Sequence, residues 1–305
     1  MLKKRIIFLL GPTGIGKSAV AISLAKKINA QIISCDSMQV YRKMDILTSK
    51  VTSAQRGKIK HHLLGVIGPE QEYNAAKYRQ TALSICDKLF AQGKLPLFVG
   101  GTGLYYSVIV DGLFAAVPRD KLIRARLEKQ LKLKGNRYLY RCLSKADPAA
   151  ALKIHPHDAR RIIRALEVYL KTGKCISRLQ KERVGLGKEY QIRIFGLNST
   201  RGALYARIDQ RVDEMFSRGL IREVKRLLKV KLSRTARCAI GIPELKGYFN
   251  KEYSLVESKR LMQRNSRHYA KRQLTWFRKD KRIKWINVGD KDNPVDIANR
   301  IYKQL

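Results

Sequence analysis

Residues 11 to 18 read Gly11-Pro12-Thr13-Gly14-Ile15-Gly16-Lys17-Ser18, a full match to the spacing G-x-x-x-x-G-K-[ST]. Glycines let a backbone bend sharply and approach a ligand closely, so the amides converge on an anion at the N-terminus of the helix that follows. Lys17 adds a mobile positive charge, and the Ser18 hydroxyl suits a Mg²⁺ that bridges phosphate oxygens. The chemistry is phosphate binding. The loop alone leaves ATP, GTP, a nucleotide monophosphate donor and an isoprenyl diphosphate all open.

Two further groups could act on whatever the loop holds. Asp36-Ser37-Met38-Gln39-Val40-Tyr41-Arg42 follows a short apolar run. A carboxylate there can serve as a general base, or it can simply cap a helix. Gly100-Gly101-Thr102-Gly103 follows another such run and makes a second anion-approach loop, with a hydroxyl donor at Thr102. Arg207, Arg211 and Arg218 share one helical face and could reach phosphates.

These groups need elements to hold them. Arg5 to Leu10, Gln31 to Ser34, Leu95 to Val99, Gln191 to Leu197 and Ile283 to Val288 read as strands. Helices are expected over 19–30, 74–92, 204–218 and 257–279, with Leu204, Ile208, Val212 and Met215 as one buried stripe. Asp36 falls at a strand's carboxyl end, where doubly wound α/β folds bind ligands. The expected fold is α/β: a P-loop NTPase-like core with a parallel sheet flanked by helices. Its expected span is 1–117 and 191–305.

Between 118 and 190 strand signals vanish, which points to an all-helical insertion domain. Arg119 to Lys134 is a basic helix. Asp158 caps Ala159 to Lys171, and Gly173 closes it. Arg160, Arg161 and Arg164 are expected on its solvent side, with Ile163, Leu166 and Leu170 inward. In the long helix near the C-terminus, Tyr269, Trp276 and Phe277 stand among bases, a mixture that suits phosphate contact with base stacking or ordinary core packing. His61 and His62 are adjacent and have no third ligand at coordinating spacing, so a structural role is expected.

The formal net charge is +40, from 64 Lys and Arg against 24 Asp and Glu. Residues 1–100 hold 16 of the bases and residues 101–305 hold 48. That excess calls for a polyanionic partner, and nucleic acid fits better than an anionic membrane surface. Five widely spaced cysteines, Cys35, Cys86, Cys142, Cys175 and Cys238, form no zinc or disulfide pattern. The apolar run at Leu2 to Leu10 is too short for a secretory signal, and no stretch could span a membrane. A reduced cytoplasm is the expected setting.

Together, residues 11–18, 36–42, 100–105, 154–168 and 269–278 resemble the bacterial tRNA dimethylallyltransferase family, also called isopentenyl-diphosphate:tRNA transferases. The likeness runs nearly end to end. It implies transfer of a dimethylallyl group from dimethylallyl diphosphate to the N6 amine of the adenosine immediately 3′ of the anticodon, in tRNAs reading codons that begin with U. It implies a Mg²⁺ requirement, an anticodon stem-loop as partner, and an adenine flipped into a channel between core and insertion. The phosphate loop would then hold the donor's diphosphate. Asp36 would take the amine proton; Lys17, Ser18 with Mg²⁺, Thr102 and an arginine would stabilise the departing diphosphate. Arg211 is the first choice for that arginine, with Arg207 in reserve.

By the same resemblance, tRNA contacts fall on Asp36, Ser37, Met38, Gln39, Thr102, Arg124, Arg160, Arg161, Ile162, Ile163 and Arg164, and on Arg237, Cys238, Ala239, Ile240, Gly241 and Ile242. Two stretches depart from the family pattern. Leu47 stands where the family usually has glycine, which alters donor-side loop packing. Ile242-Pro243 replaces a Tyr and a polar residue after Gly241, removing an aromatic from an RNA-contact loop. A monomer is expected. The competing reading is an ATP-dependent RNA-binding P-loop protein or a nucleotide kinase, against which stands the lack of a carboxylate at the end of the Leu95 to Val99 strand.

Overall fold

The computed structural model describes residues 4–114 and 117–305. Leu2 and Lys3, at the start of the first apolar run, lie outside them. Six strands form one parallel sheet: β1 (Lys4–Leu10), β2 (Ala30–Cys35), β3 (His61–His62), β4 (Leu95–Gly100), β5 (Tyr190–Asn198) and β6 (Lys284–Asn287). Their spatial order is β3-β2-β4-β1-β5-β6. Ile6 to Leu10 and all of β2 are buried, as expected of strands covered on both faces of a parallel sheet.

Thirteen helices follow in chain order among the described residues. They are α1 (Lys17–Lys27), α2 (Ser53–Arg56), α3 (Ala75–Ala91), α4 (Gly103–Val110), α5 (Lys121–Ala146), α6 (Pro148–Ala151), α7 (Ala159–Thr172), α8 (Ile176–Lys181), α9 (Arg201–Ser217), α10 (Leu220–Leu227), α11 (Ile242–Phe249), α12 (Leu255–Phe277) and α13 (Pro294–Tyr302). The chain divides into two compact units. One is Met1–Val110 with Gly187–Leu305; the other is Asp111–Leu186.

The register of the first unit decides where chemistry can occur. Leu10 lies opposite Gly100, and Gly100 lies opposite Cys35. Because the strands are parallel, the segments that follow these three residues leave the sheet at the same edge. The phosphate loop, Asp36 and the Gly101-Thr102 turn therefore emerge side by side. Gly100 has no alternative here: a Cβ would sit 2.1 Å from the Cys35 carbonyl oxygen. Leu204, Ile208, Val212 and Met215 are buried as the 204–218 stripe requires.

His61 and His62 form the short edge strand β3. His62 Nε2 pairs with Gln31 Oε1 at 2.7 Å and His61 Nδ1 with the Ile59 carbonyl at 2.9 Å, so both rings are held by protein groups.

The second unit is helical. α5 begins after Asp120, whose carboxylate accepts the Leu122 and Ile123 amides. Its first segment ends at the expected Lys134: Gly135, at φ 74° and ψ 174°, is not helical, and a second helical segment continues to Ala146. Asp158 accepts the Arg161 amide and Gly173 closes α7 in the left-handed region, as the capping residues predict. Leu127, Leu139, Leu143, Ile162, Ile163, Leu166 and Val168 form its core, each such side chain contributing roughly 1.5–3 kcal/mol on burial. Two positions correct the helical projection. Leu170 is 53 % exposed, and Arg164 turns inward to the fully buried Glu167 at 2.9 Å. A buried carboxylate draws the nearest cations to it, and this outweighs simple face periodicity.

Candidate active site at the carboxyl ends of the strands

Gly14 and Gly16 adopt φ 81° and 88°, values that disfavour any side chain. A Cβ at Gly14 would also lie 2.6 Å from Cγ1 of Ile208 on α9, so this glycine lets α9 close over the loop. Lys17 folds back and donates to the Pro12 carbonyl at 2.6 Å. The residue is half-buried, but its ammonium end is packed among protein atoms. That desolvation, and then the Arg211 charge, lower its pKa to about 7, with Asp36 opposing. Ser18 opens the first turn of α1 and is exposed.

Asp36 leaves β2 half-buried, and its Oδ1 accepts the Met38 amide at 2.8 Å. The Thr102 hydroxyl accepts the Ser37 amide at 3.0 Å, which ties the second glycine turn to the Asp36 segment. Tyr269 of α12 lines the same cleft as Asp36. Its phenol is pushed well above the ordinary value by burial and then by the Asp36 charge. This helix therefore supplies a wall to the site.

Arg211 of α9 reaches the loop. Its Nε donates to Ser49 Oγ at 2.9 Å, and its Nη1 donates to the Thr13 hydroxyl. Burial lowers its pKa, and Asp36 then raises it; a guanidinium keeps its charge regardless. Arg207 has different partners, the Gly289 carbonyl at 3.2 Å and Asp290 at 3.5 Å, and does not bond the loop. Lys17, Ser18, Asp36, Arg211 and Tyr269 line a single cleft of about 850 Å³, together with Arg207 and Arg218.

The remaining expected contacts divide by environment. Met38 is half-buried. Gln39 accepts from Ser34 Oγ and donates to the Thr48 carbonyl, so it braces the site. In the 237–242 segment Arg237 and Cys238 are exposed, Ile240 is half-buried, and Ala239, Gly241 and Ile242 are buried. One departure, Leu47, packs against the glycine that precedes the other: a Cβ on Gly241, at φ 105°, would lie 2.5 Å from Leu47 Cδ1.

In the second unit Arg160 and Arg161 are exposed, Arg161 bonded to Asp158, while Ile162 and Ile163 are core. Glu167 holds Arg164 and, at 3.7 Å, Arg124.

Two positioning groups carry no local sequence signal. Buried Glu223 accepts the Asp45, Ile46 and Leu47 amides at 3.1, 2.9 and 2.8 Å, fixing the loop that presents Ser49 to Arg211. Buried Gln273 accepts the Thr13 amide and donates to the Gly101 carbonyl. Sequence separations of more than 170 residues join these pairs. Only the packing of α10 and α12 against the strand ends reveals them.

A parallel sheet with a full phosphate loop after an interior strand, and a carboxylate beside it, makes the core that of a P-loop α/β enzyme. The IPP transferase family model matches residues 39–280, and the Isopentenyl transferase model matches residues 4–63. The chain is 45 % identical over 305 residues to a tRNA dimethylallyltransferase of Carboxydothermus hydrogenoformans, covering 99 % of this chain and 98 % of that one. It is also similar to the crystal structure of the full-length tRNA isopentenylpyrophosphate transferase of Bacillus halodurans, with 36 % identity, a TM-score of 0.72 and coverage of 99 % and 97 %. A eukaryotic dimethylallyltransferase acting on tRNA matches with 29 % identity, a TM-score of 0.81 and coverage of 98 % of this chain and 77 % of that one. The protein belongs to the IPP transferase family.

Proposed function

We propose that this protein is a tRNA dimethylallyltransferase. It moves the dimethylallyl group of dimethylallyl diphosphate to the N6 amine of the adenosine immediately 3′ of the anticodon, in tRNAs reading codons that begin with U. One observation carries the reading: Asp36, Lys17 and Arg211 line one cleft. A base for the acceptor thus lies beside cations for the leaving group.

In this reading the donor's diphosphate occupies the phosphate loop. An exocyclic adenine amine is a poor nucleophile, and Asp36 accepts its proton as nitrogen bonds to the allylic carbon. The carbon–oxygen bond to diphosphate breaks, and Lys17, Thr102 and Arg211 stabilise the charge that builds there. Ser18 is a hard oxygen donor, exposed in the cleft. No group of three or more His, Cys, Asp or Glu side chains able to hold a metal occurs among the described residues. That donor set fits Mg²⁺ held by Ser18 and the donor's own phosphate oxygens. Bound there, Mg²⁺ supplies charge neutralisation to the diphosphate.

The +40 net charge supports a tRNA acceptor over a free nucleotide. Arg160, Arg161 and Arg237 are the exposed cations we assign to the anticodon stem-loop. The helical unit would act as a tRNA-contacting insertion domain, and the adenine would be flipped out of its stack to meet the donor. In this reading the protein works on tRNA in the cytoplasm as a monomer; among the described residues no helix is long and apolar enough to cross a membrane.

The test is transfer of labelled dimethylallyl to an unmodified tRNA transcript with Mg²⁺, compared with a transcript carrying guanosine in place of the acceptor adenosine. Label in the first alone supports the reading. Label in neither, with ATP hydrolysis stimulated by RNA, supports the P-loop ATPase reading instead.

A further inference from the structure

We propose that Gln273 is a positioning residue of the transfer reaction, a clamp that holds the phosphate loop and the Gly101-Thr102 turn at one fixed separation. The proposal rests on the diphosphate reading of the loop given above. Gln273 is 5 % exposed. Its Oε1 accepts the Thr13 amide at 2.9 Å and its Nε2 donates to the Gly101 carbonyl at 2.9 Å. One planar amide therefore satisfies a backbone donor from the turn after β1 and a backbone acceptor from the turn after β4.

Both ends of the clamp lead to reacting groups. Thr13 carries the hydroxyl that Arg211 engages, and the turn after Gly101 carries Thr102. One helical turn earlier on α12, Tyr269 lines the cleft beside Asp36, so the same helix face carries both the clamp and a wall of the site. The fit is tight. A Cβ on Gly101 would lie 2.1 Å from Gln273 Nε2, so residue 101 is glycine because the amide occupies that space. Glutamine is suited to the task because a single side chain offers both a donor and an acceptor. Glutamate offers the donor only when protonated, and methionine offers neither.

The test uses the full chain with Gln273→Met and Gln273→Glu. Without ligand, amide hydrogen exchange at Thr13 should speed up about tenfold in Gln273→Met, with Ile7 to Leu9 unchanged. Unchanged exchange at Thr13 overturns the clamp. In the transfer assay Gln273→Met should lower kcat about tenfold while the KM for tRNA holds; an unchanged kcat, or a loss confined to KM, contradicts it. Gln273→Glu gives the pH readout. Its activity relative to the unaltered chain should recover from about pH 8 to about pH 5.5, as the introduced carboxyl takes up a proton and regains the donor. The relative activity of Gln273→Met should stay flat across the same range. A flat profile for both variants contradicts the clamp, since a merely structural defect would not follow the carboxyl's proton. Titration of inorganic diphosphate with Mg²⁺ separates the two ideas. If the unaltered chain does not bind it, the donor reading fails, and Thr13 exchange still decides the clamp.

Discussion

Arg211 of α9 hydrogen-bonds the Thr13 hydroxyl, so a guanidinium from one helix ends inside the phosphate loop of another segment. Its second anchor, Ser49, comes from the loop that Glu223 caps. The cation is thus fixed before any ligand arrives, which is how a charge contributes most to a transition state. Arg211→Lys should lower kcat by roughly 10²-fold, because an ammonium cannot keep both bonds of the planar fork. Arg207→Ala, which removes a side chain turned toward Gly289 and Asp290, should lower it less than tenfold. Steady-state kinetics of the two variants, with donor and tRNA varied separately, checks the order.

Lys17 should trade stability for binding. The unfolded chain holds this proton up to about 10.5, and the empty folded loop releases it near 7. Below about 7 both states are protonated and the folded state carries the full penalty of a desolvated charge. Between about 7 and 10.5 the unfolded state binds more protons, so this group makes stability rise with pH across that window. Lys17→Met should therefore raise the melting temperature of the ligand-free protein, most of all at or below neutral pH. The same variant should bind diphosphate at least tenfold more weakly. For the unaltered chain, diphosphate affinity should fall as pH rises above about 7, with proton uptake on binding. Calorimetry in buffers of different ionisation enthalpy reads that uptake.

Glu167 should be the keystone of the helical unit. It is fully buried, it accepts the Asp120 amide at 2.8 Å, and it holds Arg164 and Arg124. Removing one partner of a buried ion pair leaves the other uncompensated. Glu167→Ala should lower stability by about 3 kcal/mol in chemical denaturation. Arg160→Ala, at an exposed position, should leave stability within about 0.5 kcal/mol and weaken tRNA binding more at low salt than at high salt. An equal effect of Arg160→Ala at all salt concentrations would remove Arg160 from the tRNA surface.

Much of this organisation is legible in the residues themselves. The phosphate loop announces its strand and helix, and the β-branched runs announce a buried parallel sheet. The capping pair Asp158 and Gly173 marks both ends of α7. Periodicity misplaces Leu170, and it misplaces Arg164 because a buried glutamate three residues on redirects the arginine. The edge strand at His61 and His62 is too short to carry a pattern. Gln273 and Glu223 are invisible locally for a different reason. Each satisfies backbone groups far away in the chain, and such bonds follow from tertiary packing, with no propensity or motif to mark them.

The central claim is that Asp36 accepts the proton of an adenine amine while the loop beside it holds the diphosphate. Mass spectrometry of nucleosides tests it most directly. Unmodified tRNA is incubated with Mg²⁺, dimethylallyl diphosphate and either the unaltered chain or Asp36→Asn, after both are shown to bind tRNA and inorganic diphosphate. The account predicts N6-dimethylallyladenosine with the unaltered chain and a rate lower by about 10²- to 10⁴-fold with Asp36→Asn. Equal rates for the two proteins, or no prenylated nucleoside from either, would contradict it.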